Sequence, residues 1–164
     1  MMRQIHSTIT EQGELMLALA DVPEPEPGPG EIKLRIEAAP INPSDIGLLT
    51  GAADMHSVKA IPNGISAAVP PAGMRAMAAR VGQAMPCGNE GAGTIVAAGA
   101  GAEHLVGRKA AIIGGATYAD YRVVKAEEAL LLPEGATAEQ GASCFVNPLT
   151  ALGSVSYTHL TLPT

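Results

Sequence analysis

The sequence predicts a mainly β fold of the α+β kind, with strands first and helices last. Three observations carry this. Glu31 to Ile41 sets Ile32, Leu34 and Ile36 against Glu31, Lys33, Arg35 and Glu37, the period-2 pattern of a strand with one buried face. From Gly91 to Leu132, short apolar runs are separated by glycine turns, which suits a small barrel or sandwich. After Pro133 the pattern changes to a helical run opened by Thr137.

Each element follows in turn. Met1 to Gln12 is polar and holds no apolar signal-peptide core. Glu14 to Val22 (ELMLALADV) is apolar and reads as a strand. The PEPEPGPGE that follows has four prolines and two glycines in nine residues, a composition that neither a helix nor a central strand tolerates. Pro40 and Pro43 end the Glu31 strand, and Ser44 is placed to cap a short helical turn over Asp45 to Leu49, which Gly51 stops. Ala52 to Met85 reads as a loop-rich excursion with one alanine-rich helical piece, Gly73 to Val81. Gly91 to Ile113 reads as strand, glycine turn and strand, followed by short strands at Tyr118 to Lys125 and Leu130 to Leu132. Thr137 caps a helix over AEQGASCFV, and Asn147 and Pro148 break it before a second start at Leu149.

Composition excludes several function classes. The 164 residues include 29 Ala, 19 Gly and 13 Pro against four aromatics, and no apolar run approaches the ~20 residues of a membrane span. A net charge of −6, with Lys and Arg scattered singly, disfavours nucleic acid and anionic lipid as partners. Cys87 and Cys144 stand far apart without a paired-Cys motif, which reads as a cytoplasmic protein whose thiols are small buried hydrophobes. The length fits one domain, or a piece of something larger.

Local motifs for chemistry are sparse. Gly91-Ala-Gly93 would need a small residue at position 96 and has Val96, and Gly99-Ala-Gly101 meets His104, so neither completes a dinucleotide fingerprint. Glycine for tight turns and close backbone approach is the better account. His6, His56, His104 and His159 have no ligand partner at helical spacing, and no metal site is expected. Ser66 and Ser143 lack a nucleophile elbow.

Four segments are more specific: INPSD (Ile41 to Asp45), PCGNEGAG (Pro86 to Gly93), ATYADYRVV (Ala116 to Val124) and NPLTALG (Asn147 to Gly153). In that order they resemble the catalytic domain of the medium-chain dehydrogenase/reductase superfamily, in its zinc-independent branch of quinone oxidoreductases and 2-enoyl thioester reductases. The resemblance covers residues 1 to about 153. It implies a GroES-like β-barrel over 1–136 with short flanking helices, a helical link beginning over 137–153, and a Rossmann domain that this chain lacks. SVSYTHLTLPT (154–164) looks non-native, and the chain is expected to be truncated and inactive alone.

The resemblance further implies NADP(H) in a longer parent, no zinc, and a small quinone, enone or enoyl thioester as substrate, with a homodimer as one option for that parent. Zinc-dependent members carry a cysteine where this chain has Asn42 and His-Glu where it has Asn89-Glu90, while the third ligand position falls near Val146 or Asn147. The residues carried over as catalytic are Asn42 and Asp45, and those near the cofactor are Asn42 and Thr150. Asn42 would lie close to the nicotinamide ribose or donate to substrate. Asp45 would position its own loop or transfer a proton. Thr150 would face the carboxamide, or be a plain helix-start hydroxyl. Glu90 is either a carboxylate satisfied by backbone donors or a catalytic group. The family's tyrosine positions fall at about Gly47 and Ala53, so the proton donor has no phenol there. The alternative function is a stand-alone GroES-like assembly module without catalysis.

Overall fold

Ten strands and four helices form the computed structural model, which describes residues 1–161, with side chains described for 1–156. The strands are β1 (Met2–Ile9), β2 (Glu14–Val22), β3 (Glu31–Ala38), β4 (Lys59–Ile61), β5 (Gly64–Ala68), β6 (Ala84–Pro86), β7 (Glu90–Ala98), β8 (Lys109–Ile113), β9 (Tyr121–Lys125) and β10 (Leu130–Leu131). The helices are α1 (Pro43–Leu49), α2 (Pro71–Ala76), α3 (Ala138–Gly141) and α4 (Val146–Thr161). The strands build two five-stranded sheets, ordered β4-β5-β2-β1-β6 and β10-β8-β7-β3-β9, with every strand pairing antiparallel. This is the mainly β, two-sheet arrangement with short helices of a GroES-like domain.

The sheets are stitched together along β1. Ile5 N–H donates to the Tyr118 carbonyl at 2.9 Å, and Cys87 N–H donates to the Ile5 carbonyl at 3.0 Å. Gln4 also bridges Ala119. Within the second sheet the β3 alternation finds its core: Ile32, Leu34 and Ile95 are fully buried beside Ala110 and Ile112. Burying one such side chain contributes about 1.5–3 kcal/mol relative to leaving it exposed. A second cluster, Ala92, Ala111, Leu132, Ala138 and Ala142, packs α3 onto β7 and β8. The small side chains of Ala92, Ala111, Ala138 and Ala142 let the helix approach the sheet closely. No helix among the described residues is long and apolar enough to cross a membrane.

Several elements differ from the sequence reading. The polar start forms β1, whose inward Met2, Ser7 and Ile9 mix polar and apolar side chains and so hide the alternation. The excursion from 52 to 85 contains the β4–β5 hairpin, and its helical piece is α2 followed by a 3-10 turn, Ala78–Arg80. Ser44 is not the cap of α1. Asn42 occupies that position, Pro43 begins the helix where a missing N–H does no harm, and Ser44 Oγ accepts from Asn89 Nδ2 at 2.8 Å. Thr137 does cap α3, with Gln140 returning the bond, but Asn147 and Pro148 do not break a helix: they form the first turn of α4, where proline is tolerated. α4 continues through the 154–161 stretch, and 162–164 lie outside the described residues.

Lys33 is a further departure. The alternation assigns it to solvent, yet its side chain is 7% exposed, with Nζ 2.6 Å from Glu24 Oε1 and 3.2 Å from Glu26 Oε1. It also stands 5.2 Å from the Tyr121 ring centroid. The Pro/Glu loop thus folds back over β3, and two of its carboxylates neutralise the covered ammonium.

Candidate functional site

Three of the four motif segments meet at one point. β3 delivers the chain through Pro40 to Asn42, the cap of α1. Asp45, at the third helical position, accepts the Asn42 main-chain N–H on Oδ2 at 2.7 Å and gives its own N–H to the Asn42 carbonyl at 2.9 Å. This reciprocal pair fixes the turn. Both residues are buried.

β7 brings the second motif. Gly88, at φ +94°, lies so close to Thr117 and Tyr118 that a Cβ there would strike the Thr117 hydroxyl. Thr117 Oγ1 donates to the Glu90 carbonyl at 2.8 Å, which fixes the first residue of β7. The Glu90 side chain is fully buried. Its Oε1 accepts from Asn42 Nδ2 at 2.9 Å, and its Oε2 accepts the main-chain N–H groups of Phe145 and Val146 at 2.9 and 3.0 Å. Those N–H groups open α4, whose first turn has no intrahelical partners for them and carries positive partial charge. A buried carboxylate is thus balanced by a helix start and an amide.

α4 brings the fourth motif. Asn147 Nδ2 donates to Asn42 Oδ1 at 3.3 Å, closing a chain of side chains Glu90–Asn42–Asn147 across β7, α1 and α4. Asn147 is exposed, whereas Asn42 is 2% exposed. One turn further on, the exposed Thr150 hydroxyl donates to the Val146 carbonyl at 2.7 Å. Among the residues singled out from sequence, Asn42 and Asp45 are therefore in contact with each other, and Thr150 lies nearby in chain on the helix that begins against Glu90. Asn147 was missed as a partner of Asn42. Its signal was the Asn-Pro pair, read as a helix breaker although the same pair suits a helix start.

The third motif borders the same loop from another side. Tyr118 Oη donates to the Pro40 carbonyl at 2.8 Å. Burial, reinforced by the Asp45 carboxylate, pushes its phenol above the ordinary range. A groove of about 560 Å³ is lined here by Ile5, Leu17, Leu19, Ile41, Leu49 and Tyr118. The Arg3–Asp120 pair, 3.2 Å apart, also lines it. Cys87 is fully buried, and that burial raises its thiol to about 11. Among the described residues no group of three or more His, Cys, Asp and Glu side chains is gathered as a metal site would require.

The sequence matches no protein-family model and no curated protein. Solved structures do match. A Mesorhizobium loti protein assigned as an NADPH:quinone reductase covers 97% of the chain at 25% identity, with a TM-score of 0.63. The Escherichia coli quinone oxidoreductase complexed with NADPH covers 95% at 21% identity and TM-score 0.65. The quinone oxidoreductase of Coxiella burnetii covers 96% at 19% identity and TM-score 0.67. The chain spans 44%, 41% and 45% of those proteins respectively, less than half of each. Over nearly its whole length, then, the chain shares the fold of a part, less than half, of these solved quinone oxidoreductases.

Proposed function

We propose that this chain is the substrate-side domain of an NAD(P)H-dependent, zinc-independent oxidoreductase that reduces a quinone, with an enone or enoyl thioester as the other substrate classes. The observation that carries the reading is the meeting of three motif segments at Asn42, Glu90 and Asn147 on a fold whose solved neighbours include NADPH complexes. Residues 1–136 would be the GroES-like unit, 137–153 the start of a helical link and 154–164 a non-native tail. The protein would work in the cytoplasm.

The donor set fits a nicotinamide nucleotide. Asn147 and Thr150 are exposed on the first turns of α4, where an amide and a hydroxyl could hold a carboxamide or ribose, and Asn42 is reached past Asn147. The nucleotide, when bound, supplies a hydride. This chain's residues bind and orient. Asp45 keeps the Asn42 turn in place, and the Glu90 carboxylate keeps the Asn42 amide in place. No phenol stands at Gly47 or Ala53, and the Tyr118 hydroxyl is committed to the Pro40 carbonyl, so the proton that completes reduction would come from solvent. Zinc has no part in this scheme.

The test is a titration of the labelled chain with NADPH and with menadione, followed through its backbone amide resonances. Shifts concentrated over 41–45, 89–91 and 145–150 are expected. Shifts confined instead to a second groove, lined by Gly107 to Lys109 and Leu132 to Thr137, would remove the reading.

A further inference from the structure

Three of the roughly four acceptor positions of the Glu90 carboxylate are filled within the fold. A carboxylate only accepts hydrogen bonds, and each of its oxygens already faces N–H donors: Asn42 Nδ2 on Oε1, and the Phe145 and Val146 main chain on Oε2. The chemistry of the acceptor therefore decides which way the Asn42 amide lies. Its nitrogen must face Glu90, and its oxygen must face α4, where Asn147 Nδ2 meets it. With the opposite orientation Asn42 Oδ1 would confront Glu90 Oε1, two acceptors in a fully buried pocket, which is heavily unfavourable.

We propose that Glu90 is a positioning residue: it locks Asn42 with the amide oxygen turned toward α4, so that the site presents an acceptor there and selects a ligand group that donates, a hydroxyl or an amide N–H. The contact such a group would take over is the one from Asn147. At 3.3 Å it is the longest bond in the cluster, and it comes from an exposed side chain whose amide can turn to solvent. A ribose hydroxyl or a carboxamide N–H fits this demand, whereas a quinone carbonyl does not, and it would have to bond elsewhere. The same carboxylate fastens the start of α4 to β7, so the helix that bears Thr150 is held by the group that orients Asn42. The ligand selection rests on the oxidoreductase reading above, but the amide orientation does not.

Trans-hydrogen-bond NMR on the full 164-residue chain tests this. The wild type is expected to show a scalar coupling from Asn42 Nδ2 to the Glu90 carboxyl carbon, and its absence in folded protein overturns the proposal. In Glu90→Gln the α4 N–H groups should retain the introduced oxygen. The introduced nitrogen then faces Asn42 and turns its amide over, so the coupling should run to Asn42 Cγ instead. Unchanged Asn42 side-chain shifts in this isosteric variant would also overturn it. In Glu90→Ala, amide exchange at Phe145 and Val146 should rise about 10- to 100-fold, the effect of losing charge-assisted bonds; if Glu90→Ala does not fold, the wild-type coupling still decides. NADPH should perturb the Asn147 and Asn42 side-chain signals of the wild type, and about tenfold more weakly in Glu90→Gln. A present coupling with no response to NADPH would leave the orientation standing and remove the ligand selection, which separates the two failures.

Discussion

The Tyr118 hydroxyl donates to the Pro40 carbonyl at 2.8 Å, tying the approach to β9 onto the segment that leads into Asn42. Removing that hydroxyl leaves a half-buried carbonyl without its donor. Tyr118→Phe should lower stability by about 1 kcal/mol, read from urea unfolding, and should broaden or shift the Asn42 and Asp45 amide resonances. No loss of stability would mean that water replaces the phenol.

The same phenol sets an alkaline limit. Its folded value lies above the ordinary 10.0 because of burial and the Asp45 charge, so the neutral form is favoured in the fold. Its contribution is complete below pH 10 and is lost as pH climbs toward the folded value, since the unfolded chain gives up the proton first. Ultraviolet difference titration should show at least one tyrosine that ionises only with unfolding, and Tyr118→Phe should abolish that late step.

Glu37 gives the matching acidic prediction. Lys109 and Arg35 at 2.9 Å, with the Thr94 hydroxyl at 2.8 Å, hold its carboxyl down to about 2. The depressed value stabilises the fold above pH 4.5, and this is lost as pH falls toward about 2. With the side chain 25% exposed, solvent screening reduces the effect to about 1–2 kcal/mol. Glu37→Gln should destabilise by that amount at pH 7 and by almost nothing at pH 2, measured by denaturant unfolding. An equal loss at both would assign the effect to packing.

Gly93 lies within β7 where β3 shifts register between Ile36 and Ala38. A Cβ there would run into the Arg35 carbonyl oxygen on the neighbouring strand. Gly93→Ala should destabilise by more than ~3 kcal/mol or prevent folding, seen as loss of the cooperative thermal transition. Gly101→Ala, with open space around its Cβ position and only a positive φ to strain, should be milder.

The two thiols should separate by accessibility. Cys87 is buried and raised to about 11, while Cys144 is half-buried beside the Gln140 carbonyl. In a native thiol titration at pH 8, one sulfur should react quickly and the other only on unfolding, with Cys144→Ser removing the fast phase. Two fast thiols would contradict the packing of Cys87.

Much of the fold is legible in the residues because local rules act locally. The β3 alternation, the proline stop, the glycine turns flanking β7 and β8, and the Thr137 cap each depend on neighbours within a few positions. β1 and the β4–β5 hairpin escaped because their inward faces carry Ser7 and Ser66, which only neighbouring strands make buried. Asn147 escaped for a related reason: Asn-Pro is ambiguous between the end and the start of a helix until the N–H groups before it find an acceptor, and that acceptor is Glu90, 55 and 56 residues earlier.

By itself the sequence determined a strand-rich, alanine- and glycine-packed chain whose motif segments resemble the quinone oxidoreductase branch. Only the tertiary structure decided that Glu90, Asn42 and Asn147 form one hydrogen-bonded chain and that Lys33 is covered by its own loop. The physical reason is the same in both cases. A buried charge must be answered by partners in space, and no spacing rule along the chain says which distant donors or carboxylates the sheets will bring to it.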